Sequence, residues 1–117
     1  MLFRSVDSGW EKYTADILEG HDQVAAWAKN DHHGFQILYL WGGSKRKFVP
    51  DFLIRYKSGK TLVLEIKGED SDRDRAKRVA LGQWVDAVNA HGGFGVWAHD
   101  VVVAEPAGVR DVINKHA

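Results

Sequence analysis

The spacing of apolar residues near the N-terminus predicts a helix. Ile17 and Leu18 close an arc of inward-facing positions at helical spacing, and the pattern stops at Gly20. Ser8 followed three residues later by Glu11 has the spacing of a capping box, in which the two side chains satisfy the first free amide groups of a helix. We therefore expect the helix to begin close to Ser8.

The middle of the chain has the pattern of β-strands. Residues 24–29 fit a short helix or a strand, whereas residues 35–41 form a nearly continuous apolar run of strand length. Residues 47–56 and 60–67 then predict a β-hairpin around a turn at residues 57–59.

The last third of the chain predicts two further helices with strand between them. Residues 70–72 have the composition of a helix cap, so a helix is expected over residues 73–91, before a Gly-Gly pair. Residues 94–104 suit one or two strands, and Pro106 opens a final amphipathic helix. The order helix, strands, helix, strand, helix predicts an α/β sandwich with a central mixed β-sheet flanked by helices.

Composition narrows the class of protein. A chain of 117 residues fits one domain, residues 1–117, and no apolar run has the roughly 20 residues that cross a bilayer. The absence of cysteine excludes disulfides, thiolate nucleophiles and cysteine-based zinc sites, and a cytoplasmic location is the simplest expectation. The formal net charge is zero, which argues against a chain that grips nucleic acid strongly by itself.

The predicted hairpin has a register that can be derived from its turn. A type I turn followed by a bulge would place Gly59 in the left-handed conformation and pair Tyr56 with Lys60. That register sets Asp51 directly opposite Glu65. The other face of the hairpin would then be wholly apolar and suited to packing against helices, with Phe52, Ile54, Tyr56, Leu62, Leu64 and Ile66.

Two carboxylates and one lysine would share the remaining face. Lys67 lies one pleat beyond Glu65, on the same side as Asp51. Opposed carboxylates repel each other, and a divalent cation with hard oxygen ligands, such as Mg²⁺ or Mn²⁺, would offset that repulsion. Lys67 could orient or deprotonate a water, or offset charge on a phosphate. The alternative is that Asp51 only begins a strand after Pro50 and that the other two residues face solvent.

The same residues resemble a known signature. Pro50-Asp51 followed by Glu65-Ile66-Lys67 is similar to the motif of the PD-(D/E)XK nuclease superfamily, and the element order resembles that superfamily over most of the chain. The resemblance implies a restriction-endonuclease-like fold, an aspartate and a glutamate that bind Mg²⁺ with Mn²⁺ as a substitute, and a lysine that assists the attacking water. Those roles match Asp51, Glu65 and Lys67.

Within the superfamily, the chain most resembles the C-terminal endonuclease domain of type III restriction enzymes, in their helicase-bearing subunit. The segments 8–11, 26–30 and 48–54 carry this resemblance, together with Trp84 and Asn89. The family often completes the metal site with an acidic residue on the first helix. Glu11 matches that position, although its place in a capping box explains it equally well.

Other polar residues are weaker candidates. Gln83 interrupts the apolar stripe of the later helix and, by the same resemblance, would be auxiliary to the site, although a partly exposed helix residue is the simpler interpretation. His32 and His33 are adjacent, which points them to opposite faces of a strand and disfavours shared ligation. Candidate contacts to a DNA backbone, each with a solvated charged face as the alternative, are Lys45, Arg46, Lys47, Arg73 and Lys77.

Taken together, these features predict a Mg²⁺-dependent endonuclease domain that hydrolyses DNA phosphodiester bonds. No Gly-rich phosphate loop of a helicase motor is present, so the expected partners are DNA and a helicase, translocase or DNA-recognition domain or subunit. A homodimer is compatible with this function. The alternatives are a catalytically inactive nuclease-fold module for DNA binding or assembly, and an unrelated α/β interaction domain.

Overall fold

A computed structural model describes residues 3–30 and 34–117 of the chain. Within those residues the chain forms three helices and six strands. In chain order they are α1 (Phe3–Gly20), β1 (Val24–Lys29), β2 (Ile37–Trp41), β3 (Ser44–Phe48), β4 (Phe52–Tyr56), β5 (Thr61–Lys67), α2 (Asp72–His91), β6 (Trp97–Val103) and α3 (Gly108–His116). The predicted order of helices and strands is confirmed.

The central sheet has four strands in the order β1-β4-β5-β6. Strands β1, β4 and β5 pair antiparallel, whereas β5 and β6 are parallel because α2 connects them as a crossover. The sheet is therefore mixed, as the sequence predicted. Strands β2 and β3 form a separate two-stranded sheet.

Two apolar clusters cover the two faces of the central sheet. On one face, residues of α1, α3 and the sheet share a cluster that includes Ile17, Phe52, Leu64 and Ile113. On the other face, Val63 of β5 lies in a cluster with residues of α2 and of the β2–β3 sheet. The chain is thus an α/β sandwich around one mixed sheet. No helix among the described residues is long and apolar enough to span a membrane.

The β4–β5 hairpin has the register derived from the sequence. Phe52 pairs with Leu64 and Ile54 pairs with Leu62, so the numbers of each pair sum to 116. The backbone amide of Tyr56 donates to the carbonyl of Lys60 at 2.8 Å, and Gly59 has a φ of 93°. The left-handed glycine and the bulge are confirmed, and with them the apolar face toward α1 and α3.

Two expectations about element boundaries are wrong, and one ambiguity is resolved. Helix α1 begins at Phe3, so Ser8 lies inside the helix and cannot be its N-cap. The strand predicted over residues 47–56 is two strands, because β3 ends at Phe48 and β4 begins at Phe52. Residues 24–29 form a strand rather than a helix, since they pair antiparallel with β4.

The predicted cap of α2 is confirmed. Ser71 is the N-cap, and its side chain and that of Asp74 form a reciprocal capping box. The helix ends at His91, and Gly92 is its C-cap, whose amide donates to the carbonyl of Val88 at 3.1 Å. Because β5 ends at Lys67 and α2 begins at Asp72, the capped start of the helix lies close to the end of the strand.

Candidate functional site

Asp51 comes directly before β4, at the point where the pairing with β5 has ended. If the hairpin register continued, the amide of Ile66 would face residue 50. The pairing of β4 with β5 stops at Phe52, however, so Pro50 does not pair with β5. The carboxylate of Asp51 accepts the hydrogen bond from this amide instead, since Ile66 N–H donates to Asp51 Oδ2 at 2.8 Å. The orientation of the carboxylate is therefore set by the backbone of β5.

Asn30 holds the backbone on the other side of Asp51. The Asn30 side chain is only 2% exposed and donates through Nδ2 to the carbonyls of Phe35 and Pro50, each at 3.0 Å. The Asn30 amide also donates to the carbonyl of Asp51 at 2.8 Å. In the sequence Asn30 ends the segment 26–30 that carries the family resemblance, and its structural role depends on a burial that the sequence does not show.

Glu65 is a buried carboxylate on β5, with 3% of its surface exposed. Its Oε1 atom is buried and has no hydrogen-bond partner among the described residues. Burial raises the pKa of Glu65 to about 7; the charge of Lys67 lowers it, and that of Asp51 raises it further. Asp51 and Glu65 are therefore close enough to interact electrostatically, as their opposed positions predicted.

Lys67 is placed between Glu65 and the start of α2. Its Nζ lies 3.9 Å from Glu65 Oε2 and 3.2 Å from Asp74 Oδ1. Burial lowers the pKa of Lys67, but the charges of Glu65 and Asp74 outweigh that effect, and the pKa lies above its ordinary value. Lys67 is thus an ammonium ion at neutral pH. In this state its chemistry is that of a positive charge and a hydrogen-bond donor, not that of a base.

Asp74 is the functional candidate that sequence analysis missed. Burial raises its pKa, but hydrogen bonds from Ser71 and the charge of Lys67 outweigh burial and lower the pKa to about 2. Asp74 is consequently ionised beside Lys67. The signal in the sequence was the capping box Ser71-x-x-Asp74, which lies only a short loop after Lys67.

A pocket of about 250 Å³ opens beside these residues at the end of β5. Asp51 and Lys67 line it from the sheet, and Trp10 and Glu11 line it from α1. Glu11 therefore lines the same pocket as Asp51 and Lys67, two of the three predicted residues, although the position of Ser8 excludes its capping-box role. Its Oε2 atom lies 3.3 Å from Lys29 Nζ, so an ion pair already occupies one side of this carboxylate.

The predicted DNA contacts border the β2–β3 sheet. Lys45, Arg46 and Lys47 are exposed on β3. Arg73 Nε donates to the hydroxyl of Tyr39 at 2.8 Å, which ties the start of α2 to β2. Lys77, in turn, lies 3.6 Å from Asp74 Oδ1. The basic residues thus lie on neighbouring elements, and Lys77 reaches the candidate site itself.

Gln83 is not brought to the site. Gln83 is exposed and lines a separate groove between α2 and β2, and it lies nine residues, about 13 Å along the helix, beyond Asp74. His32 and His33 lie outside the described residues.

The residues at the site suit a divalent cation of the Mg²⁺ type. Such a cation keeps several waters and binds one or two carboxylates together with substrate phosphate. Asp51 and Glu65 supply two carboxylates, and Glu65 Oε1, a buried oxygen without a hydrogen-bond partner in the described part of the chain, is one that a cation would satisfy. Over residues 3–30 and 34–117, no group of three or more histidine, aspartate or glutamate side chains is arranged to hold a metal.

Comparison with protein-family models, with curated proteins and with solved structures finds no significant match to this chain.

Proposed function

We propose that the chain is a Mg²⁺-dependent endonuclease domain of the PD-(D/E)XK type, with a restriction-endonuclease-like fold, that hydrolyses DNA phosphodiester bonds. The observation that carries the proposal is the arrangement of Asp51, Glu65 and Lys67. Glu65 is a buried carboxylate with one oxygen that no described residue hydrogen-bonds, the charge of Asp51 acts on it, and the Lys67 ammonium lies 3.9 Å away. Such a group contributes little to stability. Together, the three residues suit the binding of a cation and a phosphate.

In this mechanism Asp51 and Glu65 would hold the cation; when bound, it would supply positive charge near the scissile phosphate and make a bound water more acidic. Asp51 keeps its orientation through the amide of Ile66. Lys67 donates a hydrogen bond to a non-bridging phosphate oxygen and offsets the charge that grows there in the transition state. Glu11 lines the same pocket and would complete the metal site as a third carboxylate.

The chain would act as a cutting module whose grip on DNA comes from elsewhere. The formal net charge is zero, with 16 basic and 16 acidic residues, whereas DNA affinity depends on phosphate neutralisation. The exposed residues Lys45 to Lys47 would contact only a short stretch of backbone. A helicase, translocase or DNA-recognition domain or subunit would supply the rest, and cutting of both strands would use two copies of the chain.

The direct test is nicking of supercoiled plasmid with Mg²⁺ or Mn²⁺. We expect Asp51→Ala, Glu65→Gln and Lys67→Ala each to lower the rate by about a hundredfold or more, because each removes a charge that acts in the transition state. Exposed residues of the same types, changed as Asp86→Asn and Lys57→Ala, should leave the rate unchanged.

Metal binding separates the catalytic function from the non-catalytic alternative. Isothermal titration with Mn²⁺ should show weaker binding for Asp51→Ala and Glu65→Gln, with binding retained in Lys67→Ala. An inert wild-type chain at high concentration, with both metals, would overturn the proposed reaction. If that inert chain still bound DNA, it would be the inactive nuclease-fold module.

A further inference from the structure

The side chain of Lys67 ends between two carboxylates that belong to different elements. Its Nζ lies 3.2 Å from Asp74 Oδ1 at the start of α2 and 3.9 Å from Glu65 Oε2 on its own strand. The side chains of Lys67 and Asp74 are only 16% and 18% exposed, so solvent screens their interaction little. The shorter of the two contacts is the one with α2.

The two carboxylate oxygens of Asp74 have separate partners. Oδ2 accepts hydrogen bonds from the amide of Ser71 at 3.2 Å and from its hydroxyl at 3.0 Å. The amide of Asp74 donates to the Ser71 hydroxyl at 3.1 Å, which closes the capping box. Oδ1 faces Lys67, with Lys77 at 3.6 Å. The cap therefore holds the carboxylate in one orientation, with Oδ1 directed at Lys67.

A lysine side chain depends on an ordered partner to hold it in one conformation. Its ammonium is carried on a flexible four-carbon stem with many rotamers, and ordering that stem costs conformational entropy. Asp74 is already ordered by the capping box, so the ion pair requires only Lys67 to become ordered. Lys67 would thereby be directed toward the acid pair before any substrate binds.

We propose that Asp74 is a positioning residue for Lys67, and that the N-cap of α2 is thereby part of the site. This inference rests on the proposed function, because Lys67 must act on the phosphate for its position to affect cleavage. Asp74 itself touches neither substrate nor metal in this scheme.

The first test compares two aspartates of the same helical turn. Asp74→Asn keeps an oxygen for the Ser71 amide but removes the negative charge that faces Lys67. Asp72→Asn removes the same charge from an exposed side chain whose ion-pair partner is Arg75. We expect Asp74→Asn to lower kcat about ten- to a hundredfold, the effect of a misplaced catalytic group. We expect Asp72→Asn to leave kcat unchanged, and neither variant should change Mn²⁺ affinity more than about twofold.

The second test asks whether Asp74 acts through Lys67. In the Lys67→Ala background, Asp74→Asn should cause no further loss of kcat, since the residue that it positions is gone. A merely structural role would give losses that multiply in the double variant. Equal kcat for Asp74→Asn and wild type, or multiplied losses, would overturn the inference.

The inference can be tested even if the chain does not cut DNA. Urea unfolding of the wild type, the two single variants and the double variant measures the coupling between Asp74 and Lys67 without any reaction. Non-additive shifts of the urea midpoint would support the positioning contact, and additive shifts would contradict it. An inert wild type with a measurable coupling would thus count against the reaction alone.

Discussion

Glu65 is a buried carboxylate, and carboxylates are rarely buried in folded proteins. Its side chain is almost fully buried, one oxygen lacks a partner among the described residues, and its pKa is about 7. The neighbouring residues on β5, Leu64 and Val63, are fully buried hydrophobic residues. Burial of the ionised form is therefore unfavourable, and the free energy of unfolding must depend on pH.

We predict that the part of the pH dependence of unfolding that comes from Glu65 disappears in Glu65→Gln. The folded-state pKa of Glu65 lies above its ordinary value of 4.5, so its contribution to stability is fully present below about pH 4.5 and is lost as pH rises through about 7. The shift corresponds to a loss of about 3 kcal/mol in the wild type.

Urea unfolding at about pH 5 and about pH 8, in buffer with a metal chelator, provides the measurement. Other titrating groups are common to both proteins, so the difference between the two pH dependences isolates Glu65. If the free energy of unfolding had the same pH dependence in wild type and Glu65→Gln, the pKa of Glu65 would not be raised by folding.

At the scale of elements, the β4–β5 hairpin follows from local sequence. Gly59 has a φ of 93°, a value that residues other than glycine rarely adopt. The bulge that it forms sets the pairing of the whole hairpin. This register places Asp51 across from Glu65 just beyond the last pair of the ladder, Phe52 with Leu64, and a shift by one residue would move one of them to the other face.

We predict that Gly59→Ala lowers the free energy of unfolding by about 1 to 2 kcal/mol, because the backbone there is left-handed. Apart from its chain neighbours, no atom of the described residues lies within 4 Å of the added methyl group, so the cost comes from the backbone and not from a clash. Gly9→Ala is the matched control. Gly9 lies in α1 with equally open space, and alanine there should stabilise by about 0.5 to 1 kcal/mol. Urea unfolding would contradict the assignment if both changes had the same sign.

The two wrong element boundaries also have local causes. Ser8 and Glu11 have capping-box spacing, yet the same spacing fits the interior of a helix, and α1 begins at Phe3. Strand β3, with the sequence Ser-Lys-Arg-Lys-Phe, lacks apolar alternation and exists because it pairs with β2. The left-handed Gly42-Gly43 turn was its sequence signal, with φ values of 60° and 77°.

At the scale of the whole molecule, the sheet is joined to the last helix by a buried hydrogen bond. The hydroxyl of Tyr56 on β4 donates to the carbonyl of Ile113 on α3 at 2.7 Å, although 57 positions separate them. Burial raises the pKa of Tyr56 to about 12, which keeps the hydroxyl protonated as a donor. This contact attaches α3 to the same sheet face that α1 covers.

We predict that Tyr56→Phe lowers the free energy of unfolding by about 1 to 2 kcal/mol, because it leaves the buried carbonyl of Ile113 without its donor. Tyr13→Phe, at a side chain that is 40% exposed, should change stability by less than about 0.5 kcal/mol. Hydrogen exchange should also show faster exchange in α3 of Tyr56→Phe. Equal stability of the two variants would mean that water replaces Tyr56 at Ile113.

The sequence by itself determined the features that depend on neighbouring residues. The hairpin register follows from Gly59, the start of α2 follows from Ser71, and its end follows from Gly92. In each case a backbone conformation or a cap is satisfied within a few residues of the chain, so its signal is local. The opposition of Asp51 and Glu65 could be derived for this reason.

Only the tertiary structure decided how these groups behave chemically. The pKa of Glu65 depends on burial beneath distant segments, the orientation of Lys67 depends on Asp74, and Glu11 reaches the pocket because α1 packs near the end of β5. Burial and Coulomb interactions act through space between residues far apart in the chain. The sequence could therefore name the acid pair and its lysine, but not the aspartate that holds the lysine in place.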